Sequence, residues 1–146
     1  MSAEENKANM RRGFEELLNQ GNLDKVDEFF APDYVGHDPA LPEDLHGPEG
    51  FKEFAAMYLS AFPDLHISIE DQFAEGDKVV TRFTSRGTHQ GDFAGIAPTG
   101  NRIEVEGISI DRIADGKSAE SWTIVDVMGM MQQLGVVPSP EQQTQA

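Results

Sequence analysis

The sequence predicts an α+β fold, with three N-terminal helices on one side of a curved antiparallel sheet that encloses a cone-shaped pocket. Three observations predict it. Apolar residues recur with helical spacing up to Phe62, and with strand alternation after it. Helices first and strands later is the order of a helix-on-sheet architecture. Near the end, Asp115-Gly116 separates two alternating segments, a strong hairpin signal.

The elements follow in order. Met1 to Lys7 is polar and reads as a frayed tail. From about Ala8 to Asn19, Met10, Phe14, Leu17 and Leu18 form one apolar stripe, and Gly21 ends the helix. Asn22 is placed to cap a short second helix with Leu23, Val26, Phe29 and Phe30 inward, stopped by Pro32. Tyr34 to His37 reads as a short extended piece before an acidic, proline-rich loop from Asp38 to Gly47. Pro48 opens a third helix to Phe62, with Phe51, Phe54, Ala55, Tyr58 and Phe62 on one stripe. A strand with Leu65, Ile67 and Ile69 on one face follows. After a Gly76-Asp77 turn comes Lys78 to Thr88, whose two faces are both mixed and leave the inward one open. The glycine-containing stretch from His89 to Asn101 is long for a hairpin connection, and long loops are often functional. A short helix ends the ordered part, and residues 139–146 read as a second flexible tail.

At 146 residues the chain is the size of one domain with a substantial core. A net charge of -15 opposes binding to nucleic acid or to anionic membrane through phosphates. The absence of cysteine excludes a disulfide framework, a thiol nucleophile and a cysteine-bound metal. Neither a signal sequence nor a membrane-length apolar run is present, so a cytoplasmic protein is expected. The four histidines lack ligand spacing, so no metal is expected. No Gly-x-Ser-x-Gly motif is present to suggest a serine hydrolase.

The last hairpin carries the candidate chemistry. With period-two alternation, Ser118, Glu120, Trp122, Ile124 and Asp126 share one face. If that face lines the pocket, Asp126 is a carboxyl group set among Trp122 and the methionines Met128, Met130 and Met131. Desolvation would then raise its pKa toward the range useful for acid/base catalysis. Spacing alone leaves a second role open, because an aspartate just before a helix is also a preferred N-cap. Tyr34 and Tyr58 are candidate hydrogen-bond donors to a substrate carbonyl, or core aromatics. Arg82 and Arg86 share a strand face, read as solvated or dimer-facing.

Several stretches together resemble a known family: FAPDYVGHDP (Phe30–Pro39), GPEGFKEF (Gly47–Phe54), AFPDLHISIED (Ala61–Asp71), GDKVVTRFTSRGTHQGDFAGIAPTGN (Gly76–Asn101) and DGKSAESWTIVDVMGMMQQLG (Asp115–Gly135). They are similar to the SnoaL-like polyketide cyclases, or ester cyclases, of the nuclear transport factor 2-like superfamily of α+β cones. The resemblance extends over about Phe14 to Pro138. It implies cofactor-free intramolecular aldol closure of a polyketide-like ester, with Asp126 as general acid/base. It also implies a small apolar carbonyl compound as ligand and a homodimer formed through the sheet. His37 and His89 are placed by it near the pocket mouth, and with Trp122, Tyr34, Tyr58, Phe62 and Met130 they complete the expected substrate-binding set. Gly36 and Ser121 depart from the family pattern, which often has Asn and His there. Two alternatives stand beside the cyclase: a non-catalytic module that binds a small hydrophobic ligand, and an epoxide hydrolase. The latter would need a second carboxylate and an arginine, for which Asp111 with Arg112 or Arg82 is the nearby supply.

Overall fold

The computed structural model describes residues 2–138. Helix α1 (Ala3–Gly13) begins earlier than its apolar stripe suggests. Ser2 and Glu5 form a reciprocal capping box, in which the Ser2 hydroxyl accepts from the Glu5 N–H and the Glu5 carboxylate accepts from the Ser2 N–H. That satisfies two otherwise orphaned donors and extends the helix over residues expected to fray. The helix runs on into a π-helical turn, Phe14–Asn19. Asn19 fastens the end of that turn to the sheet, donating to the Ile67 carbonyl and accepting from the Ile67 N–H.

A short 3-10 turn and helix α2 (Val26–Phe29) lead directly into strand β1 (Phe30–His37). The strand is longer than the Tyr34–His37 piece expected. Pro32 lies within it, where a proline cannot donate to a ladder, and the register with the neighbouring strand is interrupted between Phe30 and Val35. Strand β2 (Leu45–His46) precedes helix α3 (Gly47–Ala61), with Pro48 in its first turn. Strands β3 (His66–Glu75), β4 (Lys78–Thr88), β5 (Arg102–Ala114) and β6 (Lys117–Val125) form a meander, and α4 (Val127–Leu134) closes the described chain.

The strand order is β2-β1-β6-β5-β4-β3. Pairing is antiparallel except between β1 and β6, which run parallel, so the sheet is mixed. The β5–β6 turn is the expected one. Asp115 and Gly116 both have positive φ, 52° and 77°, as a type I′ hairpin turn requires.

The core lies between the helices and the concave face of the sheet. Ala61, Phe62 and Leu65 pack against Ile67, Phe83, Ile103 and Val105, and Met130 and Leu134 of α4 cover the same cluster. Helix α4 is tied to β5 by Gln133, which accepts from the Glu104 N–H at 2.7 Å and donates to the Glu104 carbonyl at 3.0 Å. On β4 the inward face is Val79, Thr81, Phe83 and Ser85. Among the described residues no helix is long and apolar enough to cross a membrane.

Candidate active site

A cavity of about 160 Å³ lies between the helices and the concave sheet. Phe14, Phe29, Phe30, Phe51, Phe54, Tyr58 and Phe83 supply most of its apolar wall. Most of the polar part of the wall comes from the sheet: Ser85 of β4, Ser109 and Asp111 of β5, Ser121 and Thr123 of β6, and Tyr34 and His37 of β1, with Asp38 just beyond β1.

The register explains why these side chains meet. Asp111 pairs with Ser121 across β5–β6, and Ser109 with Thr123, so all four point inward. The intervening pairs, Ile110 with Trp122 and Ile108 with Ile124, point outward. This reverses the expected face of β6. Trp122 is 39% exposed and Ile124 is 66% exposed. The inner face of β6 is built from smaller and more polar residues because it borders a cavity and not a packed core.

Ser118 breaks the alternation. Arg112 pairs with Glu120, but the next pair is Ile113 with Ser118, so Ala119 is an extra residue in β6. Such a bulge re-aims the flanking side chains. Ser118, which simple alternation places beside Trp122, is instead fully buried against Asp111.

Asp111 is the buried carboxyl group of the site, 7% exposed. The Ser118 hydroxyl donates to one carboxylate oxygen at 2.8 Å, and the Ser109 hydroxyl lies 3.5 Å from the other. Desolvation outweighs both hydrogen bonds and pushes its pKa from 3.8 to about 6. Next to it the Tyr34 hydroxyl meets Ser121 Oγ at 2.6 Å. Burial raises the Tyr34 phenol further above its ordinary value, so it stays protonated. The space its hydroxyl occupies exists because residue 36 is glycine: a Cβ there would overlap the Tyr34 oxygen.

Asp126 stands elsewhere. It is exposed, and its carboxylate accepts from the Gly129 N–H at 2.9 Å as the N-cap of α4. The capping role that spacing left open is the one its geometry serves, and the expected apolar setting against Trp122 is absent because that face looks outward.

Of the other expected pocket residues, Tyr34, Tyr58, His37 and Met130 line the cavity. Burial, followed by the nearby Asp38 charge, pushes the Tyr58 pKa up to about 12. His37 sits at the rim, with Nε2 at 2.7 Å from Glu120, Nδ1 at 3.1 Å from Asp44, and its ring stacked on Trp122 at 5.6 Å. The Glu120 contact, reinforced by Asp44, raises its pKa.

Phe62 and His89 do not line the cavity. Phe62 is fully buried behind it, packed on Phe93 and His89. His89, which the resemblance places at the mouth, is buried in the core. Its Nδ1 accepts from the Thr99 N–H at 3.1 Å, while its backbone bonds to Gly100 and Asn101. It therefore pins the two ends of the 89–101 loop together.

The arginines are outside. Arg82 pairs with Asp71 and Glu106, Arg86 with Glu104, and Arg112 with Glu120, so no arginine or lysine is among the lining residues. The Asp111–arginine pair that an epoxide hydrolase would use is not formed, since adjacent Asp111 and Arg112 project to opposite faces. Among the described residues no cluster of histidine and carboxylate side chains is arranged to hold a metal ion.

Residues 8–134 match the SnoaL-like polyketide cyclase family. The chain belongs to that family. Aklanonic acid methyl ester cyclase DnrD of Streptomyces peucetius is 32% identical over 133 residues, covering 86% of this chain and 89% of that protein. Nogalonic acid methyl ester cyclase of Streptomyces nogalater is 32% identical over 124 residues, covering 81% and 89%. Among solved structures, TsrD from Streptomyces laurentii superposes with a TM-score of 0.83 at 30% identity, covering 94% of this chain and 99% of that one. A SnoaL-like protein from Jannaschia sp. CCS1 gives 0.84 at 25% identity, covering 93% and 95%. The α+β cone expected from the resemblance is therefore the fold of this SnoaL-like chain.

The sequence did contain a signal for Asp111. Ile103, Val105, Ser109, Asp111 and Ile113 share one parity along β5, and an aspartate as the one charged residue of that parity marks a buried carboxyl group. The outward Ile108 and Ile110 obscured it by placing two large apolar residues on the opposite parity, among Glu104, Glu106 and Arg112.

Proposed function

We propose that this SnoaL-like chain is a cofactor-free ester cyclase that performs an intramolecular aldol closure, with Asp111 as its general acid/base. The observation that supports it is a single buried carboxyl group at the polar end of an apolar cavity, with a pKa of about 6. At neutral pH such a group is mostly ionised, yet close enough to the working pH to return a proton. Its relatives named as methyl ester cyclases support the reaction class.

In this scheme ionised Asp111 removes a proton from the carbon between a ketone and an ester. The resulting enolate attacks a second carbonyl of the same molecule, forming one carbon–carbon bond. Protonated Asp111 then gives the proton to the new alkoxide, so the reaction is an isomerisation without loss of atoms. The Tyr34–Ser121 pair supplies a hydroxyl donor for the enolate oxygen, in a setting where water is largely excluded. Ser118 and Ser109 orient the carboxylate.

The test is exchange of the acidic carbon-bound proton of a β-keto ester with deuterated solvent, followed by NMR. Asp111→Asn should reduce enzyme-promoted exchange at least a hundredfold, and the wild-type rate should rise with pH through about 6. Asp126→Asn should leave it near the wild-type rate. Loss of exchange in the Asp126 variant with retention in the Asp111 variant would return the catalytic role to Asp126.

We also propose a homodimer through the convex face of the sheet. Its support is the exposed apolar set Phe73, Ile108, Trp122 and Ile124, bordered by the Arg82–Asp71 and Arg86–Glu104 ion pairs.

A further inference from the structure

The cavity volume bears on the ligand. An apolar cavity of about 150 Å³ is enough to hold benzene. Clefts that take drug-sized ligands run from about 300 to 1,000 Å³. The space here, about 160 Å³, belongs to the first class.

The walls explain why it stays small. Phe30 and Phe51 pack with their ring centroids 4.3 Å apart, and Phe14 and Phe83 at 5.5 Å, all within aromatic contact distance. A flat fused ring system would have to separate rings that already touch. Phe83 can lie against β5 because residue 107 is glycine, where a Cβ would come within 2.6 Å of the ring. At the polar end the Tyr34 hydroxyl occupies the room left by Gly36. The lining contributes Asp38 and Asp111, no lysine or arginine, and one histidine, His37, whose two ring nitrogens are already paired with Glu120 and Asp44, which disfavours an anionic ligand in the interior.

We infer that this cavity takes a neutral ligand of about one ring, with its carbonyl end toward Asp111 and Tyr34, and rejects fused three-ring molecules. The inference rests on reading the cavity as the active site, and it names the size and charge class of what that site accepts.

Methyl-labelled methionine gives a direct readout of binding, because Met10 and Met130 line the cavity while Met128 is exposed outside it. Wild-type protein is titrated with methyl benzoylacetate, with benzoylacetate anion, and with the methyl ester of anthraquinone carboxylic acid, in matched cosolvent. The expected result is saturable shifts of Met10 and Met130, with Met128 unmoved, for the one-ring ester. The anion and the three-ring ester should bind at least tenfold more weakly. Binding of the three-ring ester as tight as that of the one-ring ester would overturn the inference. So would failure of the one-ring ester to move Met10 and Met130. The titration is repeated with Asp111→Asn, so that binding is separated from chemistry. Binding of the one-ring ester without Asp111-dependent proton exchange would leave the size assignment standing and sink the acid/base role.

Discussion

Replacing Asp111 with asparagine should make the protein more stable at neutral pH while removing its activity. The folded protein raises the Asp111 pKa from 3.8 to about 6, a shift of about two units. At about 1.4 kcal/mol per unit, the ionised carboxylate destabilises the fold by about 3 kcal/mol. Because the folded state binds this proton more tightly than the unfolded chain does, the loss of stability begins as pH rises past 3.8. It is complete above about 6. Asparagine has nearly the same shape, carries no charge at any pH, and can still accept the Ser118 hydrogen bond. The variant's advantage should therefore be small at pH 4 and reach about 3 kcal/mol by pH 8, or about 6–12 °C in Tm for a domain of this size. Thermal unfolding of both proteins by circular dichroism across pH 4–8 measures it. A variant no more stable than wild type at pH 8, or a difference that does not change with pH, would refute the argument that a buried carboxylate only partly compensated by its serine hydrogen bonds sits in this wall. Natural sites keep such groups for function at the expense of stability.

Other residues give independent checks. Asp126→Ala should cost about 1 kcal/mol through loss of the α4 cap, read by chemical denaturation, with proton exchange on a β-keto ester retained. Gly36→Ala should displace the Tyr34 ring, breaking the Tyr34–Ser121 bond and costing about 1–3 kcal/mol; a variant as stable as wild type would show that Tyr34 is not confined by the backbone. His37, whose pKa is raised by Glu120 and Asp44, stabilises its two contacts while protonated and loses that contribution as pH rises through its folded pKa. Hydrogen exchange in the 38–46 segment should therefore quicken as pH rises above the ordinary imidazole value of 6.5, after correction for intrinsic rates, and His37→Gln should abolish the extra pH dependence. Ile124→Glu should weaken self-association at least tenfold in sedimentation equilibrium, without changing ligand shifts at Met10 and Met130.

Local chemistry in the sequence determined a good deal. Pro48 and the aromatic stripe behind it set α3, and Asp115-Gly116 set the last hairpin with both residues at positive φ. The bounds of β4 at Lys78 and Thr88 were readable, because the alternation and the turn before it depend on neighbouring residues only. The Ser2–Glu5 capping box was equally local, and it decides where α1 begins. What the sequence left open was which side of each strand faces inward. Period-two alternation groups Trp122 with Ile124 and Ser121 with Thr123, but it carries no sign. The large apolar pair looked like the inside of the molecule. The sign is fixed by the neighbours of β6: β5 sets it by pairing Asp111 with Ser121, and β1 brings Tyr34 to the same wall. One bulged residue, Ala119, then turns Ser118 inward against Asp111. Burial is a property of that assembly, and burial is what raises a carboxyl pKa. Sequence spacing could therefore nominate an aspartate, but only the tertiary structure distinguishes Asp126, held by a helix end in water, from Asp111, held by serines in a cavity.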